Sequence, residues 1–296
     1  MKFYSWTRLR VLSMAAILLA PLSANAFCGL QSCPRVGPHG GDAPFEAGLR
    51  SRLVAFDIAG EQGYYGVLSP RFFAKALGVS LGVEVPWVNL HLAEGVTSGL
   101  GNPLVIAQVA GPISPAWTAQ AGVQLELPFG DTDHGLAGDH TMLLPWIGAR
   151  FALSDVWYVS GMLGYSQALE FKGEASDDAA DTGALARVAP LAKTAHNGVD
   201  HGTGQVAPSF VNPHGDREAQ WRAGVGRMFM HRWMLEAFAL GQADMSVSNL
   251  VFYTRAGASA EWMLTPAVAL QVIADAPVTA ARRSEAALGV DVKIVW

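Results

Sequence analysis

The chain has 296 residues, with 25 Asp and Glu against 20 Lys and Arg, a formal net charge of -5 and 51% hydrophobic residues. That length suits one large β domain, and the acidic balance excludes a basic nucleic-acid interface. Beyond the N-terminal segment no apolar run approaches the ~18 residues of a spanning helix, which excludes a helical membrane protein.

Residues 1–26 carry Lys2, Arg8 and Arg10, then an apolar run through Ala15, Ile17, Leu18 and Leu19, and close on Ala24-Asn25-Ala26. A basic start, an apolar middle and a small-x-small end make a secretory signal peptide. Pro21 follows the run too early for an anchor helix. Its removal takes away three positive charges and no negative ones, moving the formal charge from -5 to -8. Phe27 precedes Cys28 where a lipoprotein signal would need a small residue. Cys28 and Cys33 are the two cysteines of an exported chain, so a local disulfide is expected. Metal capture by this pair with His39 is the lesser alternative. Residues 27–44, rich in Gly and Pro, read as a short periplasmic tail.

From Phe45 onward the chain divides into about twelve strands, at roughly 45–58, 71–78, 79–91, 102–111, 116–128, 141–152, 156–170, 218–230, 232–244, 250–264, 267–276 and 286–296. Several alternate strictly. Trp117, Ala119, Ala121, Val123, Leu125 and Leu127 oppose Thr118, Gln120, Gly122, Gln124 and Glu126. Leu288, Val290, Val292, Ile294 and Trp296 oppose Ala287, Gly289, Asp291, Lys293 and Val295. Strand side chains alternate sides, so each strand offers one apolar face and one polar face.

The connections decide between a soluble sandwich and a barrel. Ile113-Ser114-Pro115, Ser154-Asp155, His231-Arg232 and Thr265-Pro266 are tight turns. Longer links are expected at 59–70, 92–101, 129–140, 171–217, 245–249 and 277–285. Short and long connections then alternate, as in an up-and-down antiparallel transmembrane β-barrel with turns inside and loops outside. Trp117, Trp157, Trp233, Trp262 and Trp296 fall at the turn ends of their strands, where an aromatic belt meets the lipid interface. The expected fold is all-β, a barrel of about twelve strands over residues 45–296 in the bacterial outer membrane. Outer-membrane lipid is its surroundings, and the C-terminal strand is its handle for the barrel-assembly machinery.

The middle of the chain resembles a known family. Gly99-Leu100-Gly101-Asn102-Pro103-Leu104 opens one strand, and Leu127-Pro128-Phe129-Gly130-Asp131 ends the next. Trp157 begins a strand that closes on Gly164-Tyr165. These stretches resemble an outer-membrane barrel transporter family named after a phenol-degradation pathway protein (MetA-pathway type). Its pattern has Gly-x-Gly-Asp, then Leu-Pro-Thr-Gly-Asp, then a Trp strand ending in Gly-Tyr. Here Asn102 replaces the first Asp, and Phe129 replaces the Thr. The resemblance implies a barrel that passes small, hydrophobic or aromatic solutes.

The polar faces carry Arg50, Arg52, Arg71, Lys75, Glu84, Glu126, Arg150, Arg222, Glu236, Arg255, Glu261, Asp291 and Lys293, which are expected to line the lumen. Both signs occur, so cross-wall pairing is expected. The 171–217 loop holds His196, His201 and His214 with several carboxylates, a weak set of metal candidates. Their spacing follows no closed-site motif, so no metal and no cofactor is assigned. A surface metal-sequestering barrel with a closed lumen is the alternative reading. No nucleophile motif accompanies a histidine, and His91 and His231 fall at opposite rims, so no enzyme is expected.

The cysteine reading has a direct check. The unreduced mature chain should weigh about two hydrogens less than the reduced chain, as one disulfide requires. Two freely alkylated thiols would refute it.

Overall fold

The computed structural model describes residues 44–58, 61–93, 95–132, 134–138, 140–171, 211, 217–230, 232–245, 251–279 and 284–296. The signal peptide, the tail with Cys28 and Cys33, and His196, His201 and His214 lie outside the described residues.

Fourteen strands form one antiparallel sheet. They are β1 (Phe45–Ile58), β2 (Glu61–Ala76), β3 (Val79–Glu84), β4 (Trp87–Leu92), β5 (Gly95–Leu100), β6 (Leu104–Pro112), β7 (Trp117–Glu126), β8 (His140–Ala152), β9 (Trp157–Phe171), β10 (Arg217–Phe229), β11 (Trp233–Asp244), β12 (Val251–Thr265), β13 (Val268–Pro277) and β14 (Ala286–Val295). β3 and β4 both pair with β2, one beyond the other, so they are halves of one stave. β5 and β6 are likewise two halves, pairing with β4 and β3. The wall therefore has twelve staves. β1 pairs with both β2 and β14, which closes it.

Closure is needed because hydrocarbon offers backbone groups no other partner. Ten residue pairs join β1 to β14, from Glu46↔Val295 to Ala55↔Ala286. At the end of this seam Phe45 N–H donates to Trp296 O at 3.2 Å, and Trp296 N–H returns to Phe45 O at 3.1 Å. No helix among the described residues is long and apolar enough to cross a membrane; the crossing is made by strands.

Both ends of the barrel segment meet at one rim, and the connections from β2 to β3, β6 to β7, β8 to β9, β10 to β11 and β12 to β13 share it. Leu77 (φ 54°) and Gly78 (φ 81°) form a two-residue hairpin with both residues left-handed. All five tryptophans expected at this rim stand there. Trp233 stacks on Trp262 with centroids 4.8 Å apart, and Trp117 lies 4.8 Å from Phe151. Phe45, Phe72 and Trp296 group at the seam, and Arg227 sits over Trp157. Between the rims the outward positions are apolar and exposed, among them Leu49, Leu81, Val105, Ile147, Leu163 and Leu235. A closed barrel with such a band belongs in the bacterial outer membrane.

Two expected loops are wrong. Residues 59–70 are mostly strand, because β2 pairs with β1 over fourteen positions up to Ile58↔Glu61. Residues 92–101 are mostly β5, paired with β4. Glycines and Pro70 in these stretches resemble loop residues, but neighbouring staves supply their hydrogen bonds. The strict alternation of short and long connections therefore fails at 59–60 and 93–94.

The interruptions fall on prolines. Pro70, Pro86 and Pro103 occupy adjacent staves, and none has an N–H to give the ladder. Instead Val85 N–H donates to Pro70 O at 3.1 Å, Gly101 N–H to Pro86 O at 2.8 Å and Leu127 N–H to Pro103 O at 2.9 Å. Beyond this line β7 has ended, so β5 pairs with β4 alone among the described residues.

Inside the seam, Asp291 faces Arg50 directly across the β1–β14 pairing. It accepts from Arg71 Nη2 at 2.8 Å and lies 3.8 Å from Arg50 Nε. Removing one partner of a buried ion pair leaves uncompensated charge. Asp291→Ala should therefore lower barrel stability by about 3 kcal/mol, read as an earlier urea midpoint of the folded band on unheated gels. An unchanged midpoint would show that the seam does not need the pair.

Candidate functional site

The interior is built from the inward position of each stave. On β1 these are Glu46, Gly48, Arg50, Arg52, Val54 and Phe56; on β2 they are Tyr65, Val67, Ser69, Arg71 and Phe73. Reading β1 from the turn rim, charge comes first and apolar side chains follow.

The charged part is a connected set. Lys293 Nζ lies 3.2 Å from Glu46 Oε2, and Glu46 Oε1 lies 3.6 Å from Arg71 Nη2. Arg71 reaches Asp291, and Asp291 borders Arg50. Arg50 Nη1 then donates to Glu84 Oε2 at 3.2 Å. Next to this run, Arg52 Nη2 pairs with Asp275 at 2.7 Å, and Arg255 pairs with Asp275 and Ser284. Arg222 pairs with Glu236 at 3.0 Å, and Ser160 Oγ donates to Glu236 at 2.9 Å. Arg150 lies 3.7 Å over the Tyr158 ring. Glu261 is half-buried on the inward face of β12. Of the thirteen sequence-named lumen residues, Arg50, Arg71, Glu84, Asp291 and Lys293 are brought together. Arg222 and Glu236 form a second group, Arg255 joins Asp275, and Glu126 stands apart with Asn102.

The apolar part is a cluster of Val54, Phe56, Tyr65, Val67, Val88, Leu90, Leu136, Val211 and Ala287. It lies on the loop side of the proline line, against β1, β2, β4 and β14. Sequence reading assigned apolar residues to lipid and missed it. One signal was present: Leu53-Val54-Ala55-Phe56 is apolar on both faces, as a wall segment buried on both sides requires.

Leu136 does not come from a strand. The link after β7 folds inward and seats it at 1% exposure. Asn102, itself 5% exposed, holds that link. Its Nδ2 donates to Gly138 O at 2.8 Å and to Glu126 Oε1 at 3.0 Å, while its Oδ1 accepts from Gly130 N–H at 3.0 Å. Asp131 N–H donates to Leu100 O at 2.7 Å. A side chain on Gly99 would collide with Asp131 and Leu136. The stretches Gly99–Leu104 and Leu127–Asp131, with Gly101, Leu127, Pro128 and Gly130, are thus one interlocked unit. Trp157 is at the turn rim, and Gly164 with Tyr165 is on β9 opposite Trp146 and Gln220. The Asn at 102 matters: an Asp would lose the amide donor and set a carboxylate against Glu126.

His134 Nδ1 meets Asp131 at 2.9 Å in an exposed pair. No group of three or more His, Cys, Asp or Glu among the described residues is placed to hold a metal.

The comparisons place the fold. No protein-family model matches the chain, and no curated protein sequence does either. The structure is similar to the COG4313 outer membrane channel from Pseudomonas putida F1, with TM-score 0.65 and 12% identity over 86% of this chain and 96% of that one. It is also similar to the KdgM porin in complex with disordered oligogalacturonate, with TM-score 0.50 and 11% identity over 85% of this chain and 99% of that one. At these identities the likeness establishes an outer-membrane barrel fold.

Asn102 offers a test of the inward link. Asn102→Ala removes three hydrogen bonds and leaves Glu126 without this donor, at a cost of about 1–3 kcal/mol for each buried group. Limited proteolysis of the folded barrel should then cut within residues 127–138, where the parent chain resists. Asn102→Asp should behave the same way. Equal resistance in all three proteins would show that another contact holds the link.

Proposed function

We propose that this barrel mediates passive or gated passage of small, hydrophobic or aromatic solutes across the outer membrane. The observation that carries the reading is the division of the interior. A solute from outside meets the Val54–Leu90 apolar surface with Leu136 lying in it, and then a wall on which Arg50, Arg52, Arg71, Arg222, Arg255 and Lys293 are paired with carboxylates. Paired charges exert little net field on a neutral solute, whereas a bare charged ring would favour ions. The resemblance at Gly99–Asp131 and the channel likeness support the same reading. The terminal strand, with Trp296 at the rim, is the segment that assembly machinery would take hold of.

Cells producing the chain should take up the apolar fluorophore N-phenyl-1-naphthylamine faster than cells without it. Leu90→Gln, which puts an amide into the apolar cluster, should slow that gain without loss of folded barrel. Planar-bilayer recordings should show small, discrete conductance steps. Uptake equal to that of cells lacking the chain, together with no steps, would overturn the channel reading.

A further inference from the structure

The wall opposite the seam has a different chemistry. On β6, β7 and β8 two inward rows run side by side. One row is Gln108, Gly122 and Trp146; the other is Ile106, Gln124 and Leu144. Gln108 is 4% exposed, Gln124 1% and Trp146 4%, and their apolar neighbours Ile106 and Leu144 are equally closed off. Five polar atoms here have no hydrogen-bond partner among the described residues: Nε2 and Oε1 of Gln108, Nε2 and Oε1 of Gln124, and Nε1 of Trp146. Gln108 and Gln124 are diagonal neighbours, about 7–8 Å apart at the backbone and within reach of one long side chain each. A side chain on Gly122 would strike the Trp146 indole, so that ring lies over Gly122, the position paired with Gln108 and two residues before Gln124.

A buried amide without a partner is costly, and two adjacent ones beside an indole N–H are an unfilled set of donors and acceptors. Their chemistry defines what fits. Each amide offers both a donor and an acceptor, so its complement must also offer both. A carboxylate only accepts and an ammonium only donates. Ile106, Leu144 and the indole face require the rest of the ligand to be apolar. We propose that Gln108, Gln124 and Trp146 form a head-group subsite that selects neutral amphiphiles. These would carry an apolar body and a carboxamide or hydroxyl head, and their charged counterparts would be rejected. The proposal rests on the channel reading and names the solute class for that lumen. Glu126, the next inward residue after Gln124, is held by Asn102 and disfavours an anionic head further.

The test uses three probes of one size: hexanamide, hexanoate and hexylammonium. Binding is read by ligand-observed saturation-transfer NMR on the full chain in lipid nanodiscs, with empty nanodiscs subtracted. Hexanamide should bind and the two ions should not. Gln108→Leu with Gln124→Leu should weaken hexanamide roughly tenfold, as loss of its hydrogen-bond partners requires. Gln124→Glu, nearly the same shape, should shift preference to hexylammonium and guards against a leucine variant that fails to fold. Equal binding of all three heads, a double variant that binds hexanamide as the parent does, or no signal above empty nanodiscs would overturn the subsite. The last result would leave ordered water as the partner of these atoms. Conductance with no head-group discrimination removes the subsite and leaves the channel. Hexanamide binding without conductance or uptake removes the channel and leaves the site.

Discussion

Everything in this barrel depends on closing the sheet. A strand edge in hydrocarbon has no water to turn to, so the first and last staves must find each other. They do so over ten residue pairs, from Glu46↔Val295 to Ala55↔Ala286. Because β1 and β14 are antiparallel and the stave number is even, Phe45 and Trp296 meet at one rim. The tight turns gather at that same rim, and with them the tryptophans that prefer an interface. The charged residues follow from the same constraint. Arg50, Arg71, Asp291, Lys293 and Glu46 sit on the three staves where closure occurs, so the wall there is tied by side chains as well as backbone.

Prolines relax the constraint at one place. Pro70, Pro86 and Pro103 take N–H groups out of three adjacent staves, and the ladder breaks along their line. On the turn side the wall is continuous around its circumference. On the loop side β7 has stopped, β5 keeps one neighbour among the described residues, and the 127–138 link turns inward. Asn102 stands at this junction, buried, with hydrogen bonds to three different segments. The Leu136 side chain that it brings in completes an apolar cluster which strands alone would leave open.

The interior therefore has three chemistries on one scaffold. The seam wall is ionic and internally compensated. The loop side is apolar. The β6–β8 wall is neutral and hydrogen-bonding, with Gln108, Gln124 and Trp146 among apolar neighbours. Glycine makes the crowding possible: Gly82 lies under Phe73, Gly226 under Tyr158 and Gly122 under Trp146, where any Cβ would collide. Large inward side chains lie flat against the wall because the facing position is empty.

The legible features were the local ones. A strand has a period of two, so the outward Ala119, Val123 and Leu125 of β7 and the inward Arg255, Ser259 and Glu261 of β12 could be read from spacing alone. Rim tryptophans and tight turns are equally local, because interface preference and turn chemistry need no distant partner. What depends on a neighbouring stave was hidden. Gln62-Gly63-Tyr64-Tyr65-Gly66 resembles a loop until β1 and β4 stand on either side of it. Val54 and Phe56 share the inward face with Arg50 and Arg52 by spacing, but the Leu136 they pack with comes from a link some eighty positions later. Gln108 and Gln124 are ordinary polar-face residues in the sequence. Their burial, with no hydrogen-bond partner among the described residues, exists only once twelve staves have closed around them, since period fixes which way a side chain points and only closure fixes what it meets.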